Sequence, residues 1–558
     1  VAVLTLALGI GANTAIFSML EAVVLAPLPY KDARGLFVVL QPRPDNRRGT
    51  PSWLDFQEWR RNARSFEQMG GIMARNRDLT YPGTPEHISG RSITSGFFRL
   101  FGVNLRLGRE FSSQEDQRGG NPVVIISNRL WRDRFAGSRE VLGRSLTLDG
   151  IDHTIVGVLP TGFFEFGTWL EEADIYTPIG QNTLAFMGDR TAHVGIICIA
   201  RLKPGVTIAQ AKSEMATIQD SLNRLYPATN RSLGVDVLPL KQLIVEADDE
   251  TLLLLMGAVI LVLLIACANI ANLLLARTEA RSAEFAIRMA LGASRKNLAS
   301  QLIIESMLLS LVGGVLGAEL AKWAVLPLLA VEVADMPRST NIGVNLYVLF
   351  FTLVLSILVG ILFGLAPVMK SSNPDLQTSL KEGGRGVAKG RHSVHRILVI
   401  AQMAMTLVLL AGAMLLFRTV RHLWTAEPGF NNQRMITFKV GLSPTVTKNA
   451  STWRIAYQKL AERIGQIPEV QAASFSMVVP LTPNPNSAPF WIGSNKTTST
   501  TEAPRLVLHW TEPNYLKAME IPLLRGRFLT PEDNLQSQKV IVIDSILAHT
   551  YFPEQDPV

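Results

Sequence analysis

Residues 252–276 read LLLLMGAVILVLLIACANIANLLLA, twenty-five positions without a charge. As a helix rising about 1.5 Å per residue, the run is roughly 37 Å long, enough to cross a bilayer core with some tilt. Uncharged runs beyond about 18 residues are foreign to soluble cores, so this one decides the class of the molecule. Four other stretches carry the same signature: 1–26, 298–331, 346–369 and 397–417. In 298–331 the residues Glu305, Glu319 and Lys322 leave only 307–318 cleanly apolar. Five membrane spans are expected. Residues 1–26 lack the basic start of a signal peptide and read as a span. Because they open on Val1, the natural N-terminus is expected further upstream.

The 558 residues include 54 Lys and Arg against 46 Asp and Glu, a net charge of +8, and are 47% hydrophobic but only 18% charged. Soluble domains carry about 25% charged residues, so the chain is too apolar to be wholly water-exposed. Its mean hydropathy of +0.21 is low for spans alone, which calls for sizeable aqueous domains as well. The two cysteines, Cys198 and Cys267, exclude a disulfide framework and a four-cysteine zinc site.

The loops set orientation. Residues 277–297 hold Arg277, Arg281, Arg288, Arg295 and Lys296 against Glu279 and Glu284. Residues 370–396 hold six basic side chains against Asp375 and Glu382, whereas 332–345 hold Glu332 and Asp335 against Arg338. Positive loops stay inside, so 277–297 and 370–396 are expected in the cytoplasm, with 27–251 and 421–558 outside it. No basic helix with interleaved aromatics points to nucleic acid.

The outer segments carry signals of α+β folding. SLTLDGIDHTIVGVL, 145–159, alternates apolar and polar residues around Asp149-Gly150 and predicts a hairpin. Thr207 is placed to cap a helix whose stripe is Ile208, Ala211, Met215, Ile218, Leu222 and Leu225. That stripe suits packing on a sheet better than the start of a coiled coil. Strands are expected at 123–127, 194–202 and 234–240.

An internal repeat is the most informative feature. GFFRLFGVNLRLGREFSSQED (96–116) aligns with NYLKAMEIPLLRGRFLTPED (514–533) when Glu110 is skipped, and PVVIISNRLWRDRF (122–135) aligns with KVIVIDSILAHTYF (539–552). Each copy has an apolar start, a Gly-Arg turn (Gly108-Arg109, Gly526-Arg527), a Glu-Asp pair and a strand. The second copy stops at Val558, opposite Val141, so the sequence is expected to lack most of a second half.

RTEARSAEFAIRMALGASRKNLASQLIIESMLLSLVGGVLG, 277–317, resembles the inner loop and following helix of the FtsX-like permeases. TLALGIGANTAIFSMLEAVVLAPLPY, 5–30, together with the outer segment to 250, looks like the MacB-type periplasmic core. The doubled plan is similar to the duplicated permeases common in acidobacterial genomes. The resemblance implies an internally duplicated membrane protein in which transmembrane α-helices carry extracytoplasmic α+β domains. It also implies the permease of an ATP-binding-cassette system at the cytoplasmic membrane, conveying ATP-driven motion inside to domains outside. An ABC ATPase, the lipid bilayer and an extracytoplasmic adaptor or substrate are its implied partners. Two alternatives stand beside export: signalling to a wall hydrolase, as FtsX does, and a membrane sensor without an ATPase.

No stretch fits G-x-x-x-x-G-K-[ST], and EGGRGVAKG at 382–390 has the wrong spacing, so ATP is expected on a separate chain and no cofactor on this one. Within 277–297, Glu284 and Arg288 stand at i, i+4 beside Phe285, Ile287, Met289 and Leu291, before a Gly292-Ala293 break. Such a short amphipathic helix suits either a lever against an ATPase or a helix lying on lipid headgroups. The resemblance favours the lever, with Arg277, Arg281, Glu284, Arg288, Gly292, Ala293 and Arg295 as coupling residues.

Gly313 with Gly317, and Gly360 with Gly364, have the four-residue spacing that lets membrane helices approach closely. His392 and His395 lack a nearby carboxylate or thiol partner and read as solvated rather than metal-binding. Glu305, Asn269 and Asn272 fall near span ends, where hydration is cheap. Asn230, Asn449 and Asn495 match the glycosylation pattern by accident. No catalytic constellation is visible, and none is expected.

Overall fold

The computed structural model describes every residue except 1, 43–48, 83–84, 164, 167–169, 172, 183, 194, 246–248, 281–283, 285–286, 289–290, 292–293, 333–341, 372–392, 427, 432, 439, 442–449, 483–486, 494–502 and 535. Its principal helices are α1 (Ala2–Leu20), α2 (Trp53–Asn62), α3 (Phe97–Leu100), α4 (Asn128–Phe135), α5 (Ile208–Leu225), α6 (Asp249–Ala280), α7 (Arg295–Glu332), α8 (Leu346–Ser371), α9 (Ser393–Thr425), α10 (Ala450–Gly465), α11 (Tyr515–Met519) and α12 (Ser545–Tyr551). The chain divides into two units: residues 1–29, 164–172 and 240–424, and residues 30–163, 173–239 and 425–558.

The first unit is helical apart from a short antiparallel pair, Glu165–Phe166 with Leu170–Glu171. Four of its segments are long and apolar enough to cross a membrane: Ala2–Leu25, Thr251–Leu274, Ser300–Val325 and Val399–Thr425. A stretch of α8, Leu346–Leu362, is apolar but shorter. Although α1 carries small and polar residues, it is the most enclosed of the five, because those residues let α6, α7 and α8 close around it. Leu6 and Ile10 pack with Leu263, Cys267, Ile270 and Val359. Further along, Ile16, Met19, Ala22 and Val23 pack with Leu252, Ala321 and Val325. Lipid-type side chains such as Met403, Leu407 and Leu415 of α9 stay exposed in the structure.

The second unit holds a mixed sheet of β1 (Leu36–Leu40), β2 (Phe66–Ala74), β3 (Arg77–Tyr81), β4 (Glu86–Ile88), β5 (Gly90–Ile93), β6 (Leu107–Gly108), β7 (Val123–Ile126), β8 (Ser145–Leu148), β9 (Ile151–Val158), β10 (Ile175–Pro178), β11 (Ile197–Leu202) and β12 (Asp236–Pro239). Their order is β12-β1-β11-β2-β5-β10-β7-β9-β8-β3-β4, with β6 added on β9. The pairs β5–β10 and β7–β9 are parallel, and the remainder are antiparallel. Asp149 and Gly150 both take positive φ, 52° and 75°, and close the β8–β9 hairpin between Leu148 and Ile151.

Two cores lie along the sheet. Around β1, β2 and β11, Phe56 and Trp59 of α2 meet Ala211, Met215 and Leu222 of α5. Around β7, β8 and β9, Leu130, Trp131 and Phe135 of α4 cover Val124, Leu146 and Ile155. Thr207 caps α5 in a reciprocal box with Gln210. The stripe of α5 is shorter than its spacing predicts, because Ile208 at 37% and Leu225 at 69% exposure overhang its ends. A network around Asp55 and a buried thiol complete this part. Asn230 is fully buried with its amide on both oxygens of Asp55, which also bonds Gln41 and pairs with Arg190. Cys198 is buried in the first core, and desolvation pushes its thiol well above the ordinary range.

In 96–135 and 514–552 the backbone makes the same moves. α3 and α11 both end in a left-handed residue, Gly102 at φ 70° and Glu520 at φ 54°. Gly108 and Gly526 follow at 78° and 71°. Arg109 then grips Glu115 with two nitrogens at 2.8 and 2.7 Å, and Arg527 grips Asp533 at 2.7 and 2.8 Å. The same carboxylates accept the amides of Ser112 and Thr530, each at 2.8 Å. Ser127 caps α4 through the Leu130 amide, as Asp544 caps α12 through Leu547. This register corrects the sequence alignment. Glu110 is not skipped, since each arginine also donates to the carbonyl of the next residue, Glu110 or Phe528. The single-residue difference falls instead between the clasp and the capped helix, where the loop is free to change length.

Candidate coupling elbow and helix seam

At the turn between α6 and α7 the described residues are 284, 287–288, 291 and 294. Arg288 donates to Glu284 Oε1 at 2.6 Å and to Gln301 Oε1 at 3.1 Å. The i, i+4 pair is therefore also bolted to the second turn of α7. The Leu291 amide donates to the Ile287 carbonyl at 3.0 Å, so these residues form a helical turn. Ser294 caps α7 by accepting the Asn297 amide at 3.2 Å. Ile287 and Leu291, one turn apart, are 62% and 82% exposed. An elbow locked by charge on one side and bare of polarity on the other is suited to press on an apolar surface. Arg277 falls in α6 and Arg295 begins α7, but their side chains, and Arg281, Gly292 and Ala293 altogether, lie outside the described residues.

The seam runs along α1. A Cβ on Gly11 would lie 2.9 Å from the Gly317 carbonyl oxygen, and one on Gly317 would lie 2.9 Å from the Gly11 nitrogen, so the two backbones touch. Gly313 sits against Leu6, and Gly360 against Ser310 and Met307. The packing of Gly364 lies outside the described side chains. Polar groups tie the same helices. Asn13 donates to the Val259 carbonyl of α6 at 2.9 Å, and Thr14 and Thr352 share a bond of 3.0 Å between α1 and α8. Glu21, within the π-helical turn Glu21–Leu25, accepts from Asn345 at 2.7 Å, and Asn345 also caps α8 through the Val348 amide.

Sequence reasoning passed over Asn13, Thr14, Ser18 and Glu21, because the reading of 1–26 as a span rather than a signal peptide does not turn on the polar residues within it. All four are buried. Their spacing, two residues side by side and then one every third or fourth position, was the available signal for a polar stripe facing other helices. Of the weaker candidates, Asn230 is sealed in the outer core and unavailable to glycosylation, and Asn449 and Asn495 lie outside the described residues, as does the side chain of His395 and all of His392. Among the described residues no cluster of His, Cys, Asp and Glu could hold a metal.

Comparison with known proteins gives two family matches. The MacB-like periplasmic core domain matches residues 1–218 and again 398–558. The FtsX-like permease C-terminal domain matches 256–376. The macrolide export ATP-binding/permease protein MacB of Hahella chejuensis is 24% identical over 54% of this chain and 44% of its own length. That of Escherichia coli O157:H7 is 25% identical over 54% of this chain and 45% of its own. The chain thus spans somewhat under half the length of these curated relatives. The periplasmic region of MacB from Actinobacillus actinomycetemcomitans aligns at 11% identity over 38% of this chain and 92% of that one, with a TM-score of 0.29.

Proposed function

The chain belongs to the family of the MacB-like periplasmic core domain, joined to an FtsX-like permease domain, and on that premise we propose that it transmits motion across a bacterial inner membrane. Proteins of this family are ABC transporter permeases, embedded in the membrane and served by an ABC ATPase. In the proposed cycle, ATP is hydrolysed on a separate chain docked at the elbow. The displacement passes along α7 and, through the seam, into α1. Since α1 leads directly into the outer unit, its movement works the extracytoplasmic lobes to export or extract a substrate. The basic loops 277–297 and 370–396 would then lie inside and 27–251 and 421–558 outside.

One observation carries the reading. Arg288 joins the elbow to α7 while Ile287 and Leu291 stay bare, so a push on the apolar turn is delivered to a membrane helix rather than absorbed in a loose loop. The seam supports the next step, because helices whose backbones touch at Gly11 and Gly317 move together. Internal duplication is part of the proposal. It is supported by the one family matching twice and by the shared clasp and caps of 96–135 and 514–552.

Glu284→Ala combined with Arg288→Ala tests the elbow. The full-length membrane-inserted chain should lose most of the ATPase that co-purifies with it in mild detergent. Retention equal to the parent would defeat the docking reading. Efflux from inverted vesicles then separates export from signalling to a wall hydrolase.

A further inference from the structure

A cavity of about 470 Å³ opens between the first turns of α1 and the last turns of α6, lined by Thr5, Asn269, Ile270, Asn272 and Leu273. It belongs to neither the elbow nor the seam. Its lining is chemically divided: Thr5, Asn269 and Asn272 supply a hydroxyl and two amides, whereas Ile270 and Leu273 are apolar. Asn269 is exposed, and its amide has no hydrogen-bond partner among the described residues. Arg277, the next charged residue, comes eight positions later, about 12 Å along the helix. Asn269 therefore lies just inside the end of the span Thr251–Leu274, at the level where the ester region of a bilayer meets its apolar core.

We propose that this cavity is a binding site for one glycerophospholipid of the adjoining leaflet. The amide of Asn269 is matched to oxygens that accept, Thr5 and Asn272 keep the lining around it polar, and each phospholipid carries ester and phosphate oxygens above apolar chains. Leu273, 56% exposed, would take the first methylenes of an acyl chain. The order along α6 fits such a guest end to end: apolar residues face the chains, the amides face the ester region, and Arg277 follows at the level of phosphate. A seated lipid would satisfy the bare amide of Asn269 and fill the space between α1 and α6. The proposal needs α1 and α6 to lie in a bilayer but does not depend on an ATPase docking at the elbow.

The test uses the full chain in vesicles of phosphatidylethanolamine and phosphatidylglycerol containing a phosphatidylethanolamine with a diazirine near its glycerol. After irradiation, cross-links should concentrate on Thr5 and 269–273. Losing one neutral hydrogen bond predicts about threefold to tenfold less labelling there in Asn269→Leu, with Asn269→Gln close to the parent. The leucine variant keeps the span apolar, so its insertion is not at risk, and glutamine controls for side-chain length. Equal labelling at exposed positions of the opposite end of α6, such as Leu253 and Leu254, would mean bulk annular lipid only and would overturn the site. So would labelling of 269–273 that is unchanged in Asn269→Leu.

Discussion

Residues 96–135 and 514–552 share their turns, clasp and helix caps but not their burial. In the first stretch Val123 is 3% exposed, and Val124, Ile125 and Ile126 are fully buried. In the second, Val540, Ile541 and Val542 are 37%, 79% and 43% exposed. The difference is in the neighbours. β7 lies between β9 and β10, whereas the described residues place no strand beside 540–543. Local sequence therefore writes the turn and the caps, and strands distant along the chain write the core. The two stretches share one local pattern, framed by strands in the first and with no strand beside it among the described residues in the second, which makes paired substitutions informative.

The widest gap should appear at the Gly-Arg turn. Both glycines have positive φ, which costs an L-residue about 1–2 kcal/mol. At Gly108 an added Cβ would also collide with the Val156 carbonyl and stand 2.9 Å from Gly157 Cα, backbone that β9 holds in place. At Gly526 it would meet only the side chain of Val558, which is 77% exposed and free to turn away. Gly108→Ala should cost about 4 kcal/mol and Gly526→Ala about 1, once crowding against fixed backbone is included for the first. Amide hydrogen exchange of 122–127 and 539–544 in the membrane-embedded chain reports both openings. Equal losses would mean that the second turn is framed as tightly as the first.

Next comes the strand itself. Ile126→Ala removes a fully buried side chain and should cost about 3 kcal/mol, seen as faster exchange throughout β7, β8 and β9. Ile541→Ala, at 79% exposure, should change protection by less than about 0.5 kcal/mol. A large effect at Ile541 would show that 540–543 packs on a strand in the working protein.

The same division explains what could be read from the sequence. Features decided within a few residues were legible: the Asp149-Gly150 hairpin, the Thr207 cap and the Glu284–Arg288 pair. Features decided between distant segments were not. The parallel pairing of β7 with β9 and of β5 with β10 leaves no mark on an alternation pattern. The grip of Asp55 on Asn230 and Arg190 joins residues far apart in the chain, and so does the Glu21–Asn345 bond. At the elbow, spacing alone gave the ion pair, but the bond from Arg288 to Gln301 depends on how α7 turns back, which spacing does not encode. The misplaced gap at Glu110 has the same origin. Aligning Phe111 with Phe528 matched residue types, whereas the clasp is set by an arginine and a carboxylate six residues on.

The clasps offer the smallest and most local contrast, resolved by pH. The side-chain hydrogen bonds from Arg109, with the Ser112 amide, hold the Glu115 carboxyl down at about 2. Arg527 and the Thr530 amide likewise keep Asp533 well below the usual carboxylate range. A carboxylate depressed in the folded state stabilises at pH values above its unfolded pKa, about 4.3 for Glu, and that contribution disappears as pH falls toward the folded value. Protection around the first clasp should therefore decline between about pH 4.5 and 2, and Arg109→Met should remove most of that slope at a neutral-pH cost of about 1 kcal/mol. Glu115 is anchored beyond its arginine, because its backbone carbonyl accepts from Gln181 at 2.7 Å, and the neighbouring Asp116 takes the amides of Ser95 and Gly180, each at 2.8 Å. These bonds reach into segments flanking β5 and β10, so acid release of the first clasp should loosen the strands beside it. The Asp533 clasp has no such links beyond its own turn among the described hydrogen bonds, and Arg527→Met should alter exchange only within about 526–534. If acid loosens 539–544 as much as 122–127, the second clasp is tied into a frame of its own, and the contrast between the two stretches fails at its finest scale.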